Sequence, residues 1–381
     1  MSNSDREVRN WKLEVGSWKH ALSNAEGLKA GGAPPQPPTS SLQPLTSNLQ
    51  SPTSNLQPLT SNLQPLISII IPNWNGARHL PICLDSLRRQ TYPQIEIIVV
   101  DNASSDGSLD LLAREYPEVR PIALKENRGF TGACNAGIRA ARGDLVALLN
   151  NDTESDPGWA AAVVDAFTRH PEAGLVASKM LLFDRRDTFH TAGDFYRLDG
   201  IPGNRGVWQT DTGQFEREEH VFSACGGSAA YRRAMLDQIG LLDEAFFFSC
   251  EDLDLAWRAQ LAGWKCVYTP RAVVYHKLSA TGGGPIASYH DGRNFIWLIA
   301  KNYPSSLWRR HRGAIVRAQL RLARAALRAW RGPAARARLC GMLAGLIGLP
   351  KMLRQRRAVQ RLRRVSDDDL LRILTPIDVD G

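Results

Sequence analysis

Several protein classes are excluded by what the sequence lacks. No run approaches the roughly 18–20 apolar residues of a membrane-spanning helix. The longest nearly charge-free apolar stretch near the C-terminus, Leu339–Leu349, has 11 residues. Six cysteines (83, 134, 225, 250, 266 and 340) include no Cys-x-x-Cys pair, which fits reduced cytosolic thiols better than a disulfide frame or structural zinc. The first ten residues, MSNSDREVRN, lack the apolar core of a secretory signal. No Gly-x-Gly-x-x-Gly stands at the first strand–helix turn, so a dinucleotide-binding fold loses support. Acid is absent from residue 292 to residue 366.

What is present is an ordinary globular composition, 43 % hydrophobic and 22 % charged over 381 residues, so the chain is not wholly disordered or fibrous. Its charge is uneven. Residues 301–381 hold 19 Lys/Arg against 5 Asp/Glu, a balance of +14, and the preceding 300 carry −5. A basic tail on a mildly acidic body suits an anionic partner. Residues 1–65 read as a largely disordered, low-complexity segment. Ala30–Pro38 is Gly/Pro-rich, and Ser-Asn-Leu-Gln recurs every seven residues from Ser47 with prolines between. One Leu per repeat plus proline cannot form a coiled-coil seam. Glu7–Ala25 has some helical character.

From Leu66 the texture changes. Ile67–Ile71, Ile95–Val100 and Leu145–Leu149 read as short buried strands, and Val119–Leu124 as a strand. Helical stretches around Leu80–Leu87, Asp110–Tyr116 and Thr131–Ala141 lie between them. Further on, short strands and Gly-rich turns fill Leu175–Tyr231, Glu251–Ala262 reads as a helix, and Val267–His276 contains a strand. Strand–helix alternation predicts an α/β fold, a doubly wound sheet flanked by helices. Such sheets bind ligands beyond the C-terminal ends of their strands. Asn73 and Asn75, Asp101 and Asn102, Asn127, and Asn150 to Asp152 stand at those ends.

Each cluster has a plain reading and a chemical one. Pro72–Gly76 is an Asn/Gly turn or a ledge for a base. Asp101–Ser108 is a turn and helix cap, or it presents the Asp101 carboxylate to the imide N–H of uracil or thymine. Asn127-Arg128-Gly129 is a helix start, or it places N–H groups and an Arg near a diphosphate. Asp152 caps a helix, or it meets a divalent metal carrying a diphosphate. Glu251, Asp252 and Asp254 satisfy a helix N-terminus; alternatively Asp252 is a general base in a cleft, with Asp254 and Arg258 as an internal brace. His276 ends its strand as an edge residue or a metal ligand. Thr281-Gly282-Gly283-Gly284 after it is a plain flexible loop or a lid.

The ordered set Ile69–Asn75, Ile98–Asn102, Asn127–Phe130, Leu148–Asp152 and Glu251–Asp254 with Arg258 resembles the family-2 glycosyltransferases of GT-A fold, closest to bacterial rhamnosyltransferase-like members that build cell-surface polysaccharide. The resemblance covers roughly Pro65 to Tyr303. It implies three regions: 1–65, a GT-A domain of mixed sheet over 66–303, and a basic amphipathic helical tail over 304–381. It implies that Pro72, Asn73, Asn75 and Asp101 hold the base and ribose of a nucleotide sugar. Asn127, Arg128, Gly129 and Asn135 then lie along the nucleotide. Asn150-Asn151-Asp152 stands where the family has Asp-x-Asp, with Asn150 replacing the first acid. Asp152 and His276 become ligands of Mg²⁺ or Mn²⁺, and Asp252 the base that deprotonates the acceptor. Gly226 and Gly227 let the acceptor approach the backbone, Glu251 is a further substrate-binding residue, and Arg293 touches the diphosphate. The implied activity is inverting transfer of a sugar, rhamnose among the candidates, from a dTDP- or UDP-sugar to a lipid-linked or polysaccharide acceptor.

Arg317, Arg321, Arg324, Arg328 and Arg331 fall on one helical face, and Val316, Leu320, Ala323, Leu327 and Trp330 on another. That is a basic amphipathic helix. It suits a cytoplasmic protein held peripherally on an anionic membrane surface, which would serve a polyprenyl-linked acceptor; packing on the body is the other reading. Nucleic acid is not expected, since no aromatics interleave with the Arg residues. Two alternatives stand beside the transferase. A catalytically silent nucleotide-binding scaffold is favoured only by the missing acid at position 150. A metal-dependent nucleotidyltransferase needs a basic triphosphate loop that Pro72–Gly76 does not offer.

Overall fold

The computed structural model describes residues 64–277 and 284–377. The linker and helix expected before Gln64, and most of the Gly-rich segment after His276, lie outside the described residues. The β-branched run after Pro65 forms β1 (Ile67–Asn73). Then follow α1 (Leu80–Arg88), β2 (Ile95–Asp101), α2 (Ser108–Glu115), β3 (Arg120–Ala123), α3 (Gly129–Ala140), β4 (Leu145–Leu149), β5 (Thr153–Ser155) and α4 (Trp159–Arg169). The middle holds β6 (Ala173–Leu182), β7 (Phe189–Ala192), β8 (Asp194–Tyr196), β9 (Pro202–Asn204), β10 (Glu219–Val221) and β11 (Ser228–Arg232). After these come α5 (Arg233–Ile239), α6 (Glu251–Ala262), β12 (Lys265–His276) and α7 (Gly284–Asn302). The tail is helical: α8 (Ser305–Arg328), α9 (Pro333–Ile347), α10 (Leu349–Arg361) and α11 (Asp367–Ile373).

The main sheet runs β10-β12-β6-β11-β4-β1-β2-β3, with β5 on β12 and β7 on β6. β4, β1, β2 and β3 are mutually parallel, and β11 enters antiparallel beside β4, so the sheet is mixed. Alternation along each strand feeds two cores. Ile67, Ile69 and Ile71 join Leu84, Leu112 and Val163 on one face, while Ile70, Ile98 and Leu148 join Ile138, Leu255 and Trp257 on the other. Burial on both faces explains the near-continuous apolar strands. Register puts the functional ends together. Asn73 pairs with Asp101, and β5 folds back so that His276 pairs with Thr153, beside Asp152.

The tail packs onto the body. On Gly292 or Gly341 a Cβ would overlap the facing backbone, at Arg338 and Tyr289 respectively, so only glycine lets α7 and α9 approach this closely. Met352 and Val359 of α10 are buried, and Arg364 N–H donates to the Leu261 carbonyl at 2.8 Å. One stripe stays uncovered: Val316, Leu320 and Leu327 of α8 are 48–56 % exposed, and Leu346 and Ile347 of α9 are 55 % and 72 % exposed. Among the described residues, no helix is long and apolar enough to cross a membrane.

Candidate active site

The motif residues at the C-terminal ends of β1, β2 and β4 form one hydrogen-bonded ledge. Asn73 Nδ2 donates to Asp101 Oδ1 at 3.2 Å, and Asn151 Nδ2 donates to Asn73 Oδ1 at 2.7 Å. Ser104 N–H donates to Asp101 Oδ2 at 3.0 Å. Asn75, held at φ 50°, receives Ser105 N–H on its Oδ1 at 2.8 Å. Asn102 ties in the next loop: its Nδ2 donates to Asn127 Oδ1 at 2.9 Å, and its Oδ1 accepts Arg128 N–H at 2.8 Å. Gly129 N–H donates to Asn127 Oδ1 at 2.8 Å. Position 76 must be glycine, because a Cβ there would overlap the Asn73–Asn151 bridge. The ledge is thus fixed by bonds among its own residues, with Pro72 half-buried at its base.

Asp152 and His276 meet at the end of β4. His276 Nε2 lies 3.1 Å from Asp152 Oδ1 and 3.3 Å from Asn150 Nδ2. Both residues are buried. Neighbouring ligands of an octahedral ion with bonds of about 2.1 Å stand about 3.0 Å apart. One carboxylate oxygen and one imidazole nitrogen at that separation fit two positions of a Mg²⁺- or Mn²⁺-type ion. A single carboxylate leaves most positions to ligands from outside the chain.

Asp252 lies on the first turn of α6. Its Oδ2 accepts Gly226 N–H at 2.8 Å and its Oδ1 accepts Leu253 N–H at 2.7 Å. Burial raises its pKa, and the backbone N–H groups oppose that rise. Burial, then the charge of Asp252, pushes Glu251 up to about 8. Gly226 and Gly227 join the two halves of the site. A Cβ on Gly226 would sit 3.4 Å from Asp252 Oδ2, and one on Gly227 would sit 3.4 Å from Asn150 Nδ2 and 3.6 Å from His276 Cε1. One peptide separates the carboxylate of α6 from the Asp152–His276 pair.

The entry to α6 is strained and clamped. Phe247, Ser249 and Cys250 have φ of 63–67°, which costs non-glycine residues on the order of 1 kcal/mol each. Asn294 of α7 holds them, donating to the Phe248 and Ser249 carbonyls at 3.0 and 2.7 Å, while Ser249 Oγ donates to Asp291 at 2.7 Å. Below, Asp254 pairs with Arg258 at 3.0 Å and Lys301 at 2.8 Å. Burial alone would raise the Asp254 carboxyl, but Lys301 and Arg258 outweigh it and hold it below the usual range. Removing one partner of a buried pair costs about 3–5 kcal/mol. Asp254→Ala is therefore expected to lower unfolding free energy by about that much, read by urea denaturation at pH 7. The contribution is fully present above pH ~4 and is lost as pH falls through the depressed folded value. An unchanged midpoint would remove the brace from the account.

Residues 68–240 match the model of glycosyl transferase family 2. Over that segment the chain is similar to the family. It is a glycosyltransferase, similar to N-acetylglucosaminyl-diphospho-decaprenol L-rhamnosyltransferase of Mycobacterium tuberculosis, at 29 % identity over 268 residues, 63 % of this chain and 86 % of that protein. An uncharacterized glycosyltransferase of Nostoc is 37 % identical over 192 residues, covering 46 % of this chain and 53 % of the relative. In solved structures the fold matches GalNAc-T7 with UDP, GalNAc and Mn²⁺, at TM-score 0.53 and 16 % identity, over 63 % of this chain and 48 % of that one. The fold is GT-A. The matched family segment ends before Asp252 and His276.

Within the glycosyltransferase, the structure brings together Asn73, Asn75, Asp101, Asn127, Gly129 and Asn151 on the ledge, and Asn150, Asp152, His276, Gly226, Gly227, Glu251 and Asp252 around the Gly226-Gly227 peptide. Two expected nucleotide contacts have other work. The Arg293 guanidinium donates to the Ala245 and Phe246 carbonyls at 3.3 and 2.7 Å and lies 4.4 Å over the Trp297 ring, so it braces the strained segment instead of reaching a diphosphate. Asn135 is buried, with its amide on the Leu242 carbonyl (2.9 Å) and Glu244 (3.1 Å), and locks that loop. Arg128 keeps an exposed guanidinium, paired with Glu244 at 2.7 Å.

Two residues escaped the sequence reading. Asp194 clusters with Asp252 and Cys225, their ligand atoms all within 4.8 Å of one another; burial and then Asp252 push it up to about 7. His190 faces His276, Nδ1 to Nδ1 at 3.1 Å. Both come from β7–β8, a region with no motif spacing to single them out.

Proposed function

We propose that the chain transfers a sugar with inversion from a dTDP- or UDP-sugar, rhamnose among the candidates, to a polyprenyl-linked acceptor in cell-surface glycan synthesis. The observation that carries this reading is the Gly226-Gly227 peptide, with a carboxylate bonded to one end and the Asp152–His276 pair against the other. Asp101, with its oxygens held by Asn73 and Ser104, suits an imide N–H. In the reaction, Asp252 takes the acceptor hydroxyl proton. The acceptor oxygen bonds to the anomeric carbon from the face opposite the diphosphate. The bond from that carbon to the diphosphate oxygen breaks, and its electron pair leaves with the nucleotide. A divalent cation held by Asp152 and His276 would supply neutralisation of the leaving diphosphate. The M. tuberculosis relative is named for a decaprenol-linked acceptor, and a substrate of that kind favours a peripheral membrane position on the cytoplasmic side. The uncovered apolar stripe of α8 and α9, flanked by Arg, supports that position.

The test is nucleotide release from a panel of dTDP- and UDP-sugars, with Mg²⁺ or Mn²⁺ and with EDTA, with and without a polyprenyl-diphosphate sugar acceptor. We expect turnover of one donor, at least about 10²-fold lower in EDTA. Silence on every donor with acceptor present would overturn the reading in favour of the scaffold.

A further inference from the structure

His276 offers one nitrogen to Asp152 and the other to His190. Its Nε2 lies 3.1 Å from Asp152 Oδ1, and its Nδ1 lies 3.1 Å from His190 Nδ1; the ring centroids are 4.9 Å apart. The contact comes from an irregularity. Met180 of β6 pairs with Thr191 and Leu181 pairs with Phe189, so His190 is the extra residue of a bulge in β7. Bulges re-aim a side chain and recur beside active sites. Here the re-aimed ring reaches His276 on β12, the strand on the other side of β6 in the sheet.

A neutral imidazole has one N–H and one lone pair. With no ion at the pair, His276 is satisfied when Nε2–H donates to Asp152 and its Nδ1 accepts from His190 Nδ1–H. A ligated His276 needs the reverse: the lone pair of Nε2 toward the ion, the proton on Nδ1, and a partner there that accepts. His190 Nδ1 can play both parts, because its own proton can sit on Nε2. A carboxylate in its place would fix one tautomer of His276, and an ammonium would fix the other. We propose that His190 is a positioning residue that sets the tautomer of His276, accepting a hydrogen bond from its Nδ1–H when a divalent cation holds Nε2 and donating one to Nδ1 when the site is empty. Each ring carries one proton in both states: the His190 Nδ1 proton passes to His276 Nδ1, the His276 Nε2 proton goes to water, and water returns one to His190 Nε2. The inference rests on the reading of Asp152 and His276 as the cation ligands.

The first test is Mn²⁺ affinity, read as free Mn²⁺ by electron paramagnetic resonance, without substrate. His190→Phe keeps a ring of similar size and deletes the acceptor. Loss of such an outer partner typically weakens metal binding about 10–100-fold, and His190→Gln, which can donate or accept, should recover most of that. The second test needs no variant at His190. Long-range ¹H–¹⁵N spectra of the wild-type protein, with His276 assigned through His276→Asn, should show its proton on Nε2 without Mg²⁺ and on Nδ1 with it. Equal Mn²⁺ affinity in wild type and His190→Phe, or an unchanged tautomer on adding Mg²⁺, would overturn the proposal. Asp152→Asn separates the two levels. If it too leaves Mn²⁺ binding unchanged, the metal assignment itself fails; if it abolishes binding while His190→Phe does not, only the role of His190 fails.

Discussion

Asp252→Asn is expected to reduce sugar transfer by about 10²–10⁴-fold, the usual contribution of a general base, while donor binding stays within a few-fold of wild type. Three features support the proposed role. The carboxylate stands at the N-terminus of α6, bonded by Gly226 N–H and Leu253 N–H. It is within one peptide of the Asp152–His276 pair. Its helix is braced by Asp254, Arg258 and Lys301, so the side chain is held on a rigid element. Donor titration by calorimetry beside turnover separates lost catalysis from lost binding. If the variant kept more than about a tenth of wild-type turnover, another group would have to be the base.

The same assignment fixes the sign of the pH dependence. A base works ionised, and burial raises the pKa of Asp252 above its ordinary value. Activity should therefore fall on the acid side at a pH above that of a solvated Asp, ~3.9. Asp194 and Glu251, raised to about 7 and about 8 chiefly by burial, add like charges beside Asp252 as pH rises through those values. The acid limb of kcat/KM is the measurement. An acid limb at or below pH ~4 would mean that the working base is a solvated group, not Asp252.

Much of this site was legible from residue order, and the reason is local. Strands buried on both faces write themselves as apolar runs, and the polar residue ending each run, Asn73, Asp101 or Asn150, is forced to the C-terminal edge. Glu251–Ala262 was readable to the residue, since three acids and a following Gly263 mark both helix ends. Partners brought in by tertiary packing were not readable. Arg293 looks like a phosphate ligand in sequence, but only the fold shows the Ala245 and Phe246 carbonyls in front of it. His190 reaches the site through a bulge, and no periodicity announces a bulge. Asn135 stands nearly two turns into α3, and the loop it locks is more than a hundred residues away.

The quadruple variant Arg317→Gln, Arg324→Gln, Arg328→Gln, Arg331→Gln should lose most of its binding to anionic vesicles. Each basic residue near an anionic leaflet contributes about 1 kcal/mol, so four amount to about 4 kcal/mol, close to 10³-fold in partitioning. All four are exposed, and Arg321, which pairs with Asp199 at 3.6 Å, is left intact so that the packing of α8 is preserved. The apolar stripe should act in addition. Leu346→Ser with Ile347→Ser removes side chains that contact with acyl chains would cover, and its effect should persist in high salt, where the Arg contribution is screened. Co-sedimentation with vesicles of 70:30 phosphatidylcholine to phosphatidylglycerol, against pure phosphatidylcholine, separates the two terms. Equal sedimentation of wild type and the quadruple variant on anionic vesicles would leave the arginines as a solvated face of a helical cap. Binding lost only in the Arg variant would make the contact electrostatic and shallow. Binding lost in both would set α8 and α9 at the depth of the headgroups, where a lipid-linked acceptor presents its diphosphate.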